Sequence, residues 1–452
     1  MEFLTSLVDS VNSVLWDYVL IFLLCGTGIY YTIRLRFVQV RKFGEGWRRI
    51  FGGFNLRGKK ADGEGMSSFQ ALTTAIAAQV GTGNLAGAAT AIVSGGPGAV
   101  FWMWVSAFFG MATIYAEAVL AQKYKTIGKD GQVTGGPIYY IRAAFKGKFG
   151  KFLAVFFSVA IICALGFMGN MVQSNSIGDS FHNAFGISPL IVGIAVAIIA
   201  AFIFVGGYGR IAAFTEKIVP IMAALYIVGS LVVIGMNYKN IPSAFQQIFV
   251  MAFTPQALGG GVLGITVQKA MRFGVARGLF SNEAGMGSTP HAHAIAKVEH
   301  PHDQGVVAMM GVFFDTFVIL TLTALVIMTT GVWNCGDTGA ALTQTAFNSA
   351  FGGFGNVFIA ICMLFFAFST IIGWYFFGEA NVKALFGPKA TKVYACIVVV
   401  LIVIGSTLKV DLVWNMSDMF IGFMVLPNLL GLLALGGVVS NILKDMENNM
   451  LK

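Results

Sequence analysis

The chain has 452 residues, of which 57% are hydrophobic and only 11% charged, with 41 phenylalanines and a mean hydropathy of +0.78. Those values exclude a soluble globular domain and imply a polytopic helical membrane protein. The net charge of +9 sits in short loops between apolar runs, a pattern that marks membrane topology and not a nucleic-acid partner.

Runs of about 20 apolar residues, the length that crosses a hydrocarbon core of roughly 30 Å, fall in chain order near 14–36, 68–95, 98–122, 151–178, 187–206, 211–236, 273–297, 305–331, 355–378, 391–408 and 412–442. The expected fold class is an all-α polytopic membrane protein with about 11 transmembrane helices. Glu2, Asp9 and Asp17 stand where a signal peptide would carry basic residues, so the first helix is expected to stay. Alternating sides from an outside N-terminus puts 24 of the 29 Lys and Arg residues on one face. By the positive-inside rule that face is cytoplasmic, which predicts a multi-pass protein of the cell membrane with its N-terminus outside and its C-terminus inside. The exceptions are Lys239, Lys409 and the trio Lys269, Arg272 and Arg277, with residues 241–253 expected as an interfacial helix on the outer side. Cys25, Cys163, Cys335, Cys362 and Cys396 form no CxxC and mostly lie in apolar segments, so they are expected to pack rather than to form disulfides or bind metal.

The second run is interrupted by Ala77-Ala78-Gln79-Val80-Gly81-Thr82-Gly83-Asn84-Leu85-Ala86-Gly87. Lipid offers no partner to a freed backbone group, so a helix broken there must face a cavity or a bound ligand at mid-membrane depth. Its first half ends in carbonyls near Ala77, Ala78, Gln79 and Val80, a negative dipole end that suits a dehydrated cation such as Na⁺. Its second half offers the N–H groups of Thr82, Gly83 and Asn84, which suit a carboxylate. Gly83 is expected to leave helical geometry at positive φ and bring the backbone close to that carboxylate. A ligand bridging both ends is a zwitterion, or an anion beside a cation. The core of the first-half helices holds no basic residue to balance a second carboxylate, which favours a neutral amino acid. Gln79, Asn84 and Asn170 can supply neutral hydrogen bonds; the alternative for each is a bond that glues helices together.

A second interruption, Gly278-Leu279-Phe280-Ser281-Asn282-Glu283-Ala284-Gly285-Met286-Gly287, opens the seventh run. Setting the first helix aside leaves ten, in two sets of five that each begin with a broken helix. That arrangement points to an inverted-repeat transporter; the alternative is two unrelated flexible helices in a chain with 56 glycines. The expected organisation is one transporter domain: residues 1–60 as an extra helix and basic loop, 61–238 as the first repeat and 239–452 as the second. Ionisable groups inside a bilayer are costly, which singles out Glu117, Glu283 and Asp315. Glu283 is expected to hydrogen-bond the loose N–H groups of the second break, with proton acceptance as the alternative.

Gly95-Gly96-Pro97-Gly98-Ala99-Val100-Phe101-Trp102-Met103-Trp104-Val105-Ser106-Ala107-Phe108-Phe109-Gly110 is a tight outer turn followed by aromatic interface anchors. Together with Gly81-Thr82-Gly83-Asn84 and Phe280-Ser281-Asn282-Glu283-Ala284-Gly285, it closely resembles the alanine or glycine:cation symporters over essentially the whole chain. The resemblance implies the fold of sodium-coupled transporters built on a five-plus-five inverted repeat, with one extra N-terminal helix. It implies Na⁺-coupled symport of a small neutral amino acid, alanine or glycine, by alternating access, with no cofactor and no enzymatic activity. The substrate-binding residues expected are then Gln79, Thr82, Gly83, Asn84, Asn170, Phe273, Asn282 and Trp374. By the same resemblance, Ser369 and Thr370 complete a sodium site with the carbonyls of Ala77 and Val80. On spacing alone, adjacent helical hydroxyls more often bond back to the i−4 carbonyl. Phe167, Phe273, Phe280 and Trp374 are expected to line a small pocket, core packing being the default for any one of them.

Other readings are weaker. Residues 53–60 look like a phosphate loop, but Lys60 replaces the Ser or Thr that would hold Mg²⁺ and no strand precedes them. His291, His293, His300 and His302 cluster in sequence, yet an i, i+2 pair does not share a helical face. The aspartate-rich pairs of a membrane prenyltransferase do not occur. A proton-coupled carrier of the same fold is the nearest alternative and an ion channel a more distant one. The partners expected are a small amino acid, Na⁺ and membrane lipid, without nucleic acid; the oligomeric state stays open.

Overall fold

Helices dominate the computed structural model, which describes residues 2–51, 65–128, 130–254, 267–408 and 410–450. A backbone in lipid can satisfy itself only along a helix or around a closed barrel, and the apolar runs take the first course. In chain order the helices are α1 (Thr5–Arg34), α2 (Phe43–Phe51), α3 (Ser68–Gln79), α4 (Gly83–Gly95), α5 (Gly98–Lys123), α6 (Pro137–Ala144), α7 (Gly147–Phe185), α8 (Pro189–Val205) and α9 (Gly207–Met236). They continue with α10 (Ile241–Met251), α11 (Val267–Asn282), α12 (Pro290–Ala294), α13 (Pro301–Thr330), α14 (Gly339–Phe351), α15 (Phe354–Phe386), α16 (Ala390–Gly405), α17 (Val410–Ala434) and α18 (Gly436–Met450). One departure from an all-α chain is a hairpin of two short strands, β1 (Thr126–Ile127) and β2 (Val133–Thr134), paired antiparallel.

Seven helices, α1, α5, α7, α9, α13, α15 and α17, are long and apolar enough to cross a membrane, and α3 with α4 makes an eighth span bent by 46°. Eleven runs were expected. The difference lies in α8 and α16, apolar helices of 17 and 16 residues, and in the seventh run, which stops at Asn282 and resumes as the five-residue α12.

Local chemistry explains where several elements begin. Ser67 and Gln70 form a capping box at the start of α3, each satisfying a backbone N–H that the first turn leaves free. Proline stands at the start of α6, α8, α12 and α13, where its missing N–H costs nothing. The basic trio is largely neutralised by pairing. Arg272 meets Asp17 at 2.8 Å, and Arg277 grips Asp418 through two bonds of 3.0 and 2.7 Å. The expected interfacial helix is α10, which packs on the aromatic turn: Trp102 Nε1 donates to Ala252 O at 3.1 Å, and Phe101 contacts Phe249 and Phe253. The 53–60 segment and Lys409 lie outside the described residues.

The short helix α2 lies against the start of α13. Its Phe43 and Trp47 pack on Phe313 and Phe314, while Arg49 bridges Glu45 at 2.9 Å and Asp303 at 2.8 Å. The His302 ring beside Glu45, followed by Arg49 and Lys42, holds that carboxyl down at about 2.

Candidate substrate and ion site

Helix α3 ends because its next hydrogen bonds are diverted. Val80 N still donates to Ile76 O at 2.7 Å, but Val80 has an extended backbone with ψ of 90°. The N–H groups of Gly81 and Thr82, which would have continued the helix onto Ala77 and Ala78, donate instead to Asn84 Oδ1 at 2.9 Å and to Gln173 Oε1 at 3.2 Å. The carbonyls at the end of α3 are thereby freed from the helical ladder.

Helix α15 delivers two hydroxyls to these carbonyls. Thr370 Oγ1 lies 3.0 Å from Ala77 O, 3.3 Å from Ala78 O and 3.5 Å from Val80 O. Ser369 Oγ lies 3.2 Å from Ala77 O. Both hydroxyls also approach their own helix at Phe366 O, at 2.9 and 3.1 Å, so the back-bonding alternative and the cross-helix contact occur together. The approach requires small residues: a Cβ on Gly81 would sit 2.2 Å from Thr370 Oγ1, and one on Gly373 would sit 2.9 Å from Ala78 Cβ.

The other half of the break differs from expectation in two respects. Gly83 is not among the positive-φ glycines; it opens a π-helical turn, Gly83–Gly87. Glycine is required there by close approach, since a Cβ would lie 2.9 Å from Ser281 Cα and 3.3 Å from Phe280 Cδ1. The N–H groups of Thr82 and Asn84 are also not free, because Thr82 donates to Gln173 and Asn84 to Gly81 O at 3.3 Å. The turn that follows is already formed, and two of the three expected N–H donors are engaged.

A polar network joins the two broken helices. Asp315, buried on α13, accepts from Asn84 Nδ2 at 2.7 Å, Ser281 Oγ at 2.9 Å and Thr316 Oγ1 at 2.8 Å. Gln79 Nε2 donates to Asn282 O at 2.7 Å, and Asn282 Nδ2 donates to Thr316 Oγ1 at 3.1 Å. Trp374 Nε1 donates to Glu283 Oε1 at 2.5 Å, and its ring meets Phe280 edge-on at 5.5 Å. Around this network four buried side-chain atoms have no hydrogen-bond partner among the described residues: Gln79 Oε1, Thr82 Oγ1, Asn170 Oδ1 and Gln173 Nε2. Leaving such atoms bare costs about 1–3 kcal/mol each, a cost that a polar ligand placed among them would relieve. π-Helical stretches occur in three contributing elements, at Gly83–Gly87, Ile162–Gly169 and Phe313–Leu320, and such distortions are frequent at functional sites.

Of the residues expected at the site, Ala77, Gln79, Val80, Thr82, Gly83, Asn84, Asn282, Ser369, Thr370 and Trp374 are brought together by these contacts. Asn170 stands beside Trp374, whose ring would meet a Cβ on Gly169, and bonds back to Gly166 O at 3.0 Å. Phe273 lies elsewhere. It packs against Ala88, Ala91, Ala99, Met103 and Leu320, about two helical turns before Phe280. Phe167 likewise meets the Tyr394 ring, tilted by 40° at 5.9 Å. Gln173 and Ser281 are contributors that the sequence reading missed. Gln173 had a signal, since it follows Asn170 at i+3 and so shares its face.

The second break is held by a different acid from the one expected. Glu117, fully buried on α5, accepts from the N–H groups of Gly285 at 3.0 Å and Gly287 at 2.9 Å and from Asn428 Nδ2 at 2.7 Å. Glu283 instead adopts φ of 59° and accepts from Ser288 Oγ and Trp374. Replacing Glu117 by alanine strands two buried N–H groups, so Glu117→Ala is expected to destabilise the protein by about 2–6 kcal/mol. Thermal unfolding of the purified protein in detergent measures this, and an unchanged midpoint would contradict it.

The histidines are dispersed. His291 contacts Ser288 O and Asn381, His293 contacts Gln304, and His302 contacts Tyr115. Among the described residues no group of three His, Cys, Asp or Glu side chains is placed to hold a metal ion.

Comparison with known proteins shows the family. The profile of the sodium:alanine symporter family matches residues 1–452. The chain is 44% identical to the sodium/alanine symporter AgcS of Methanococcus maripaludis, over 97% of this chain and 96% of that one. It is 42% identical to the amino-acid carrier protein AlsT of Bacillus subtilis, over 98% and 92% of the two chains. The crystal structure of MhsT in complex with L-phenylalanine superposes with a TM-score of 0.55 at 13% identity, covering 83% of this chain and 96% of that one. That likeness concerns the fold.

Proposed function

The chain belongs to the sodium:alanine symporter family, and we propose that it carries a small neutral amino acid, alanine or glycine, inward across the cell membrane together with Na⁺. The observation that carries this reading is the convergence of Ser369 and Thr370 on the freed carbonyls of α3. Hydroxyl and carbonyl oxygens are hard, neutral ligands suited to an alkali cation. Ala77 O, Val80 O, Phe366 O, Ser369 Oγ and Thr370 Oγ1 are the oxygens offered to it between α3 and α15. Sodium there stands at the negative end of a half-helix.

The amino acid sits on the other side of the unwound stretch. Gln79 Oε1 and Asn170 Oδ1 accept from its ammonium group, while Thr82 Oγ1 and Gln173 Nε2 donate to its carboxylate; all four lack a partner among the described residues. Phe280 and Trp374 bound the side-chain space. Because Ala77 to Thr82 contribute to both sites, an ion that fixes this stretch prepares the substrate groups as well. Occupancy of one site then raises affinity at the other, and the linkage is reciprocal.

Around this site the chain forms an extra first helix and two five-helix repeats, residues 61–238 and 239–452, opened by α3–α4 and α11–α12. With the N-terminus outside and the C-terminus inside, the Arg277–Asp418 pair closes the outer path. Its guanidinium stacks on Trp414 and Phe280. Alternating access consists of opening the two sides in turn around the broken helices.

Proton coupling in the same fold is the second reading. It is favoured by Asp315, a buried carboxylate at the junction of both breaks whose described donors are all neutral. Uptake of labelled alanine into proteoliposomes, with Na⁺, K⁺ and H⁺ gradients imposed separately, decides between them. A Na⁺ gradient is expected to drive accumulation above equilibrium, which a channel cannot do, and accumulation driven by H⁺ alone would favour the second reading. Excess glycine is expected to inhibit this uptake, while glutamate, lysine and tryptophan leave it unchanged. Strong competition by lysine or glutamate would refute a small neutral pocket.

A further inference from the structure

We propose a second amino-acid site at the inner mouth of the protein, a low-affinity station that holds the zwitterion after it leaves the break. The inference rests on the transport reading above, with the basic face of the chain as the cytoplasmic one. A cavity of about 190 Å³ lies between the β1–β2 hairpin and the last turns of α15. That is roughly six waters' worth of space, comparable with the six heavy atoms of alanine. Its wall includes His291 and Ile295, which follow the second break, and Gly65, just before α3. The cavity therefore adjoins the inner ends of both broken helices, where a substrate released inward passes.

Its charges suit a zwitterion. Glu379 and Lys383 stand at i and i+4 on α15, on one face about 5–6 Å apart at their Cβ atoms. Lys383 Nζ is held 3.1 Å from Asp130 and 3.4 Å from Gln132 Oε1, both on the hairpin. Glu379, only 8% exposed, makes no ion pair among the described residues. It has the Tyr375 hydroxyl and the Lys383 charge nearby, but Lys383 is bridged to Asp130, and a buried anion whose neighbouring cation is engaged elsewhere is costly. The α-ammonium group of an amino acid supplies a free cation, while its carboxylate reaches Lys383 one turn away. A lone anion would meet both Glu379 and Asp130, so the ammonium charge is what admits the molecule and Lys383 receives its carboxylate. Phe376 and Ala384 offer apolar surface to a short side chain.

Equilibrium dialysis of the purified full-length protein with labelled alanine and saturating Na⁺ tests the proposal. The wild type is expected to bind two alanines per chain in two classes: a tight one that requires Na⁺ and a millimolar one that does not. Glu379→Gln removes the charge and Ala380→Phe fills the cavity from its wall. Each is expected to lose the weak class and keep the tight one. A wild type that binds alanine only in the tight, Na⁺-dependent class, or two undiminished classes in both variants, would overturn the proposal. A wild type that binds alanine only in the weak, Na⁺-independent class would instead sink the reading of the break and leave this site standing.

Discussion

Gly83→Leu is expected to weaken alanine binding more than about 100-fold, equivalent to about 2.7 kcal/mol. The reason is the packing of the two broken helices. A Cβ at position 83 would stand 2.9 Å from the Ser281 backbone and 3.3 Å from the Phe280 ring, and neither can yield without moving α11. Displacing α11 pulls Ser281 from Asp315 and takes Phe280 from the Trp374 ring that bounds the pocket. The backbone does not oppose the change, because Gly83 is helical and leucine is a good helix former. Gly83→Ala, which adds only the Cβ, is expected to lose affinity by an intermediate factor. Direct binding of labelled alanine to both purified variants, with thermal unfolding measured alongside, checks this. Near-wild-type affinity in Gly83→Leu would show that the break does not hold the substrate.

Thr370→Ala is expected to raise the Na⁺ concentration for half-maximal uptake at least tenfold, about 1.4 kcal/mol, and Ser369→Ala by a somewhat smaller factor. Thr370 Oγ1 approaches three carbonyls of α3 whereas Ser369 Oγ approaches one, so losing the threonine removes more of the ion's shell. Thr370→Ser keeps the oxygen and is expected to stay within a few-fold of wild type. Since the hydroxyls also bond back to Phe366 O within their own helix, a merely structural role would lower protein yield or stability and leave the Na⁺ dependence untouched. Uptake measured across a Na⁺ titration separates the two. An unchanged half-saturating concentration in both alanine variants would remove the pair from the ion site.

Much of this protein was decided by local sequence. A membrane-length run interrupted by Gly81 and Gly83 must free backbone groups wherever it lies, because lipid cannot satisfy them; the carbonyls at the end of α3 follow from that fact alone. The apolar runs fixed the helices, and intramembrane acids were visible as costly exceptions to their surroundings. The hydroxyl pair at 369 and 370 was legible only through resemblance, since adjacent hydroxyls on a helix carry no ion signature of their own. What the tertiary structure alone decided is which distant group answers each freed one. Thr82 N–H finds Gln173, 91 residues away, and Asn428, 311 residues from Glu117, completes the shell of the carboxylate that holds Gly285 and Gly287. Sequence assigned the second break to its neighbour Glu283, but a side chain adjacent in the chain need not point at the loose N–H groups, and here it turns to Ser288 and Trp374. Gly83 shows the same division. Its presence signals that nothing larger fits, while only the packed helices reveal that the constraint is the nearness of Ser281 and not a left-handed backbone. Periodicity records which face of a helix is buried; the partner across that face depends on how helices far apart in the chain come to lie side by side.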